Sequence, residues 1–162
     1  KAGECPVTLH STSAAHTRAI GEALAAQLKA GDVLLLDGGL GAGKSELTRG
    51  IARGLGVGGY VTSPTFTILQ AYDEGRLPLY HFDWYRLADA GELYEAGLDE
   101  YLHLDGVAVV EWPQRAIEAL PERYLRITLT PRGETQREIE LTAVGGFREL
   151  AWDALGERSN LG

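Results

Sequence analysis

Val33-Leu34-Leu35-Leu36-Asp37-Gly38-Gly39-Leu40-Gly41-Ala42-Gly43-Lys44-Ser45 is the stretch that decides the fold. Val33 to Leu36 is an unbroken apolar run, which reads as a strand covered on both faces. Gly38 to Ser45 fits the phosphate-loop pattern of Gly, four residues, Gly, Lys and Ser or Thr. Lys44 to Leu55 then reads as a helix, with Leu47, Ile51 and Leu55 on one stripe. Strand, glycine loop and helix is the context the pattern needs. The glycines permit positive φ and leave room for phosphate oxygens against the backbone. Successive N–H groups make an anion nest, and the helix N-terminus adds partial positive charge. Lys44 is placed to reach the β- and γ-phosphates, and Ser45 to coordinate Mg²⁺. Lysine occurs only at positions 1, 29 and 44, so this placement is pointed. The candidate nucleotide-binding set is Gly38, Gly41, Ala42, Gly43, Lys44, Ser45 and Glu46.

The flanking sequence supplies the rest of an α/β domain. Pro6 to His10 reads as a first strand, and Ser11 or Ser13 as the cap of a helix running to Leu28. Tyr60 to Thr62 and Thr65 to Tyr72 read as extended segments. Asp73-Glu74-Gly75-Arg76 is a turn into a strand over Leu77 to Tyr85, giving a hairpin. One or two short helices are expected over residues 88 to 101. Val107 to Val110 is a second fully apolar strand, ending in Glu111-Trp112-Pro113 and followed by a short helix to Leu120. Tyr124 to Thr130 and Glu138 to Ala143 alternate as an antiparallel pair across Arg132-Gly133. Phe147 to Leu155 reads as a last helix. The expectation is a single domain over residues 1–162, a three-layer phosphate-loop fold with a mixed sheet and antiparallel hairpins.

Composition narrows the function. The 162 residues carry 23 acids against 15 bases, a formal net charge of -8. Nucleic-acid binding needs clustered Lys and Arg, so direct grip on DNA is not expected. A hydrophobic content of 44% argues against disorder. The single Cys5 excludes an internal disulfide, and no Cys/His spacing resembles a zinc site. No apolar run reaches the roughly 18 residues of a membrane span. These features suggest a cytoplasmic protein. No Met occurs, so Lys1 is not expected to be the native start.

A Mg·nucleotide site needs an acid at the end of a neighbouring apolar strand. Glu111 follows Val107 to Val110 directly. Asp83 lies in Tyr80-His81-Phe82-Asp83-Trp84-Tyr85-Arg86. Either can hold Mg²⁺ through water or orient an attacking water, and either can be an ordinary strand-end acid in a salt bridge. Thr62-Ser63-Pro64-Thr65-Phe66-Thr67 is rich in hydroxyls, suited to sensing a γ-phosphate or to capping a turn. His81 reads as a packed, hydrogen-bonded strand residue rather than a base. Trp112 is placed either to pack on a nucleotide or to join the core. Arg86 and Arg115 read as surface-paired more readily than as arginine fingers.

Taken together, these segments resemble the TsaE family of bacterial ATPases. The resemblance rests on Gly31-Asp32, Gly38 to Ser45, Thr62 to Thr67, His81 to Leu87, Glu92-Leu93 and Glu111-Trp112-Pro113-Gln114, and spans roughly residues 7 to 143. It implies Mg²⁺·ATP binding, with Ser45 and Glu111 serving the metal and Thr65 and Asp83 near the γ-phosphate. Glu111, Asp83 and Thr65 are therefore the candidate catalytic residues. It implies a nucleotide-proximal role for Arg137. It also implies partnership with TsaD and TsaB in threonylcarbamoyl transfer to tRNA, with the tRNA reached only through the complex. Gly39 stands where the family usually has Asp, Ser45 where it has Thr, and Trp84 where it has Leu. The nest needs no acid at position 39, and Ser45 keeps the hydroxyl.

Two other functions share the loop. A small-molecule kinase needs an acceptor pocket and an Arg-rich lid, but residues 51 to 100 hold only Arg53, Arg76 and Arg86 as bases. A nucleotide-dependent protein-binding switch would differ in having little turnover. No Asn-Lys-x-Asp segment supports guanine binding. The acidic excess is uneven: Asp73, Glu74, Asp83, Asp89, Glu92, Glu95, Asp99, Glu100 and Asp105 face only Arg76 and Arg86. That segment reads as a solvated face or as a docking surface for a partner that carries the RNA contacts.

Overall fold

Strand β2 (Val33–Asp37) lies at the centre of a seven-stranded sheet in a computed structural model that describes residues 5–59, 61–62, 64 and 67–156. The other strands are β1 (Val7–Ser11), β3 (Leu69–Tyr72), β4 (Leu79–Asp83), β5 (Val107–Glu111), β6 (Tyr124–Pro131) and β7 (Arg137–Val144). Their order is β1-β7-β6-β2-β5-β4-β3. Strand β2 pairs in parallel with β5 and β6, and β5 in parallel with β4. Hairpin partners β3 and β7, and then β1, add antiparallel edges. The sheet is mixed, as expected.

Two helices, α1 (Ala14–Ala25) and α2 (Lys44–Leu55), cover one face. Ile20, Leu24, Leu47, Ile51 and Leu55 there bury against Leu34, Leu36, Leu79, Val107 and Val109. The opposite face carries α3 (Ala90–Ala96) and two short 3₁₀ segments, Leu98–Leu102 and Pro113–Ala119. Their apolar side chains pack on Val33, Leu35, Tyr80, Phe82, Ala108 and Val110. The strict alternation along β2, β4 and β5 follows from the period of two in a strand. The result is three layers. It also fixes which strand residues share a face with α2: Leu79, His81 and Asp83 on β4, and Val107, Val109 and Glu111 on β5.

Helices α1 and α2 touch through glycine. A Cβ at Gly50 would stand 2.1 Å from the Arg18 carbonyl oxygen, and one at Gly21 would stand 2.5 Å from that of Leu47. Side chains at these positions would hold the backbones apart. This contact sets where the N-terminus of α2 falls over the sheet.

Several boundaries differ from the sequence reading. Ser13, not Ser11, caps α1, its Oγ accepting from the His16 N–H at 3.0 Å. The α1 helix stops at Ala25 rather than Leu28, because its end carbonyls are taken from outside. Arg76 donates to Ala25 O and Leu28 O, and Arg148 donates to Gln27 O. The tail from Phe147 to Leu155 holds only a 3₁₀ turn, Trp152–Ala154. Its backbone is committed elsewhere: Ala151 bonds the Gln27 side-chain amide through both N–H and C=O. Arg148 also makes a two-pronged bond to buried Asp32, at 2.8 Å to each oxygen. Those bonds hold the guanidinium pKa above its usual value. The segment expected as a helix before Leu120 is 3₁₀, broken at Ala116. The strand expected from Thr65 begins at Leu69 among the described residues.

Gly50→Ala is expected to lower stability. Forcing the helices apart costs about 3 kcal/mol, against about 1 kcal/mol gained in helix propensity. A net loss of about 2 kcal/mol lowers Tm by roughly 4–8 °C. Calorimetric melting checks this, and a raised Tm would contradict the close packing.

Candidate functional site

The chain leaves β2 at Asp37 and turns through six residues before α2 begins at Lys44. Gly41 (φ 76°) and Gly43 (φ 105°) lie in the left-handed region, which side chains disfavour. The first helical bond of α2 is from the Leu47 N–H to Gly43 O. The N–H groups of Lys44, Ser45 and Glu46 therefore have no helical partner and remain as donors. Their residues line a cleft of ≈ 420 Å³ whose walls include Gly39 to Glu46, Asp83, Glu111, Trp112 and Arg137.

The parallel pairing of β4 and β5 brings the two sequence-predicted acids together, with Asp83 in register with Glu111. Both lie on the strand face that α2 covers. Glu111 is 5% exposed, and its Oε1 stands 3.8 Å from Lys44 Nζ. Its other oxygen, Oε2, lies 2.7 Å from His81 Nε2. Asp83 is half-buried and accepts a bond from the Tyr85 N–H through Oδ1. Ser45 is exposed at the cleft, its hydroxyl one residue from Lys44. Thr65 lies outside the described residues.

Trp112 sits beside Glu111 at φ 57°, an unusual value for a bulky residue. That backbone turn lays the indole over Lys44, whose Nζ is 4.6 Å from the ring centroid. Tyr85 packs on the indole at 4.9 Å, and Arg115 lies over Tyr85 at 5.4 Å. Trp112 thus belongs to the wall of the cleft. Sequence leaves this open because the strand period does not extend through a left-handed residue.

Arg137 and Glu46 act on the loop differently from what their position suggests. The Arg137 guanidinium donates to Ala42 O at 3.1 Å and to Gly41 O at 3.0 Å. It also donates to Gly133 O and Gln136 O in its own hairpin turn. It clamps the loop to the β6–β7 hairpin from the carbonyl side. The Glu46 carboxylate pairs with Arg18 and Arg49, tying the first turn of α2 to α1. A smaller cavity of ≈ 130 Å³ adjoins the cleft, lined by Ala14, Thr17, Gly43, Glu46, Glu134, Thr135 and Arg137. Nothing in the spacing of these residues announces it, since it joins three distant segments.

A glycine loop between the central parallel strand and a helix, with strand-end acids beside it, defines a P-loop NTPase-like α/β protein. Comparison with known proteins narrows this. The chain belongs to the TsaE family: the family profile described as "Threonylcarbamoyl adenosine biosynthesis protein TsaE" matches residues 11–139. A Bacillus subtilis protein named "tRNA threonylcarbamoyladenosine biosynthesis protein TsaE" is 48% identical over 145 residues, covering 90% of each chain. A Treponema pallidum protein of the same name is 42% identical over 129 residues, covering 80% of this chain and 95% of the relative. The crystal structure of Bacillus subtilis YdiB superposes with a TM-score of 0.74 at 43% identity, covering 88% of both chains. The resemblance read from the motifs is borne out.

Arg137→Ala leaves the Gly41 and Ala42 carbonyls without this donor and frees the loop. Nucleotide affinity is expected to fall about tenfold, the equivalent of one charged hydrogen bond. Arg137→Lys is expected to fail as a rescue, because one ammonium cannot span the carbonyls a planar fork reaches. Calorimetric titration with ADP reads both.

Proposed function

We propose that this protein binds Mg²⁺·ATP in the cleft and hydrolyses it, in support of threonylcarbamoyladenosine formation on tRNA. One observation carries the reading. Lys44 and Glu111 face each other across the cleft at 3.8 Å, at the start of a helix whose first-turn N–H groups have no helical partner. Such a site offers donors for phosphate and a carboxylate for a hard cation. Among the described residues, no group of three or more His, Cys, Asp or Glu is arranged to hold a metal. Mg²⁺ typically binds through one or two protein oxygens together with substrate phosphates and water. Ser45 and Glu111 would hold it, and it would draw charge from the β- and γ-phosphate oxygens.

The residues divide the work by position. Gly41, Ala42, Gly43 and the first turn of α2 cradle the phosphates, and Lys44 neutralises charge on the terminal ones. Asp83, in register beside Glu111, is suited to orienting the attacking water, with Thr65 assigned the same neighbourhood by family resemblance. With the γ-phosphate end at Glu111, the base end of the nucleotide points to the cavity between α1 and the β6–β7 turn. That cavity shares Gly43, Glu46 and Arg137 with the cleft.

The family profile and the names of the relatives support the tRNA pathway. The charge distribution supports reaching the RNA through partners, which we take to be TsaD and TsaB. Asp73, Glu74, Asp89, Glu92, Glu95, Glu100 and Asp105 are all exposed. They form an acidic segment better suited to a basic protein surface than to phosphate. No helix among the described residues is long and apolar enough to cross a membrane.

Lys44→Ala is expected to weaken ATP binding by about 100-fold, the loss of a charged contact. Unchanged affinity by calorimetry would refute the phosphate-loop reading. Glu111→Ala is expected to cut turnover by about two orders of magnitude while altering ATP affinity far less. Adding the TsaB–TsaD pair should raise the ATPase rate. Charge reversal at Glu95 and Glu100 should weaken that stimulation and co-elution at low salt. Glu92 is unsuitable for this test because its carboxylate accepts from the Ala88 N–H and so helps to hold the chain entering α3. No stimulation and no co-elution would remove the partner reading.

A further inference from the structure

Glu111 is gripped from both sides, and only one grip belongs to the phosphate loop. His81 lies on β4, two residues before Asp83, on the face that carries Asp83 and Glu111. It is 1% exposed, and its Nε2 stands 2.7 Å from Glu111 Oε2. An ionised carboxylate offers only acceptors, so Nε2 carries the hydrogen and donates. The other ring nitrogen, Nδ1, is buried and meets no hydrogen-bond partner among the described residues. Among the described residues the ring's hydrogen bonding therefore runs to Glu111.

The geometry has a consequence for the carboxylate. Rotation about its last side-chain bond is soft, since such torsions have broad minima. A free Glu111 would present either oxygen, or the edge of the group, to the cleft. With Oε2 tied to His81, Oε1 is the oxygen turned toward Lys44. Ligand-bearing carboxylates depend on such partners for orientation, and their loss typically costs 10–100-fold in metal affinity or activity.

We propose that His81 is a positioning residue for Glu111, donating Nε2–H to Oε2 so that Oε1 is presented to the Mg²⁺·nucleotide. This rests on the reading of the cleft given above. His81 touches neither nucleotide nor metal in this assignment. It acts through Glu111, so its loss should change the demand for Mg²⁺ and the turnover rather than the grip on phosphate.

The test uses the full chain and two readouts. In the nucleotide-free protein, ¹⁵N NMR of the imidazole should show His81 protonated at Nε2, with that hydrogen slow to exchange. Glu111→Ala should abolish the slow exchange. In single-turnover hydrolysis over a Mg²⁺ series, His81→Ala should lower the maximal rate about 10–100-fold and raise the Mg²⁺ concentration at half-maximal rate. Affinity for Mg-free ATP should stay unchanged. His81→Gln, whose amide N–H can stand near the Nε2 position, should recover most of the rate, and it serves where His81→Ala fails to fold. Adding His81→Ala to Glu111→Ala should cost nothing further. A ring protonated at Nδ1 but not at Nε2, or wild-type Mg²⁺ demand and rate in His81→Ala, would overturn the proposal. So would a folded His81→Gln as impaired as His81→Ala. Full turnover in Glu111→Ala would instead refute the reading of the cleft, and the positioning role with it. A wrong tautomer overturns the positioning role alone.

Discussion

Peptide N–H groups that converge on an anion leave carbonyls turned the other way, and those carbonyls need donors of their own. This constraint governs the structure around Gly38 to Ser45. Left-handed glycines at 41 and 43 let the chain turn its N–H groups inward. The outward carbonyls of Gly41 and Ala42 are met by one guanidinium, from Arg137 on the far hairpin. The antiparallel β6–β7 extension is therefore more than an edge of the sheet. It brings the donor that those carbonyls bond. Helix α2, which supplies the remaining N–H groups, is held at its first turn by Glu46 to Arg18 and Arg49, and along its length by glycine contacts with α1.

The second half of the site follows from strand pairing. Parallel register sets Asp83 beside Glu111, and period-two alternation turns both toward α2. The same alternation places His81 under Glu111. One carboxylate thereby stands between a buried imidazole and the loop lysine, with an indole over the lysine. Each contact comes from a different element, so the site exists only in the folded sheet.

The parts legible in sequence are those with local causes. Val33 to Leu36 and Val107 to Val110 are apolar without interruption because both faces are covered. The phosphate loop is legible because its glycines are required by backbone geometry. Glu111 stands out because it ends such a strand, and Asp83 because it ends the neighbouring Tyr80-His81-Phe82 segment. Other features are set by partners far along the chain. Arg137 reaches the loop from 95 residues away. The α1 helix ends early because Arg76 and Arg148 claim its last carbonyls, and the tail stays irregular because Gln27 claims its backbone. Propensity predicts helix in both places, and tertiary hydrogen bonds override it. Trp112 is ambiguous in sequence because a single left-handed residue decides where its ring lies.

The central claim is that nucleotide phosphate sits on the N–H groups of this loop. Amide NMR with Mg²⁺ and ADP tests it directly, because each donor is read separately. The largest shifts should fall on Gly41 to Glu46, with smaller ones at Glu111 and Trp112. Shifts concentrated instead on the opposite face, around Gln114, Ile117 and Arg126, with the loop amides unmoved, would contradict it.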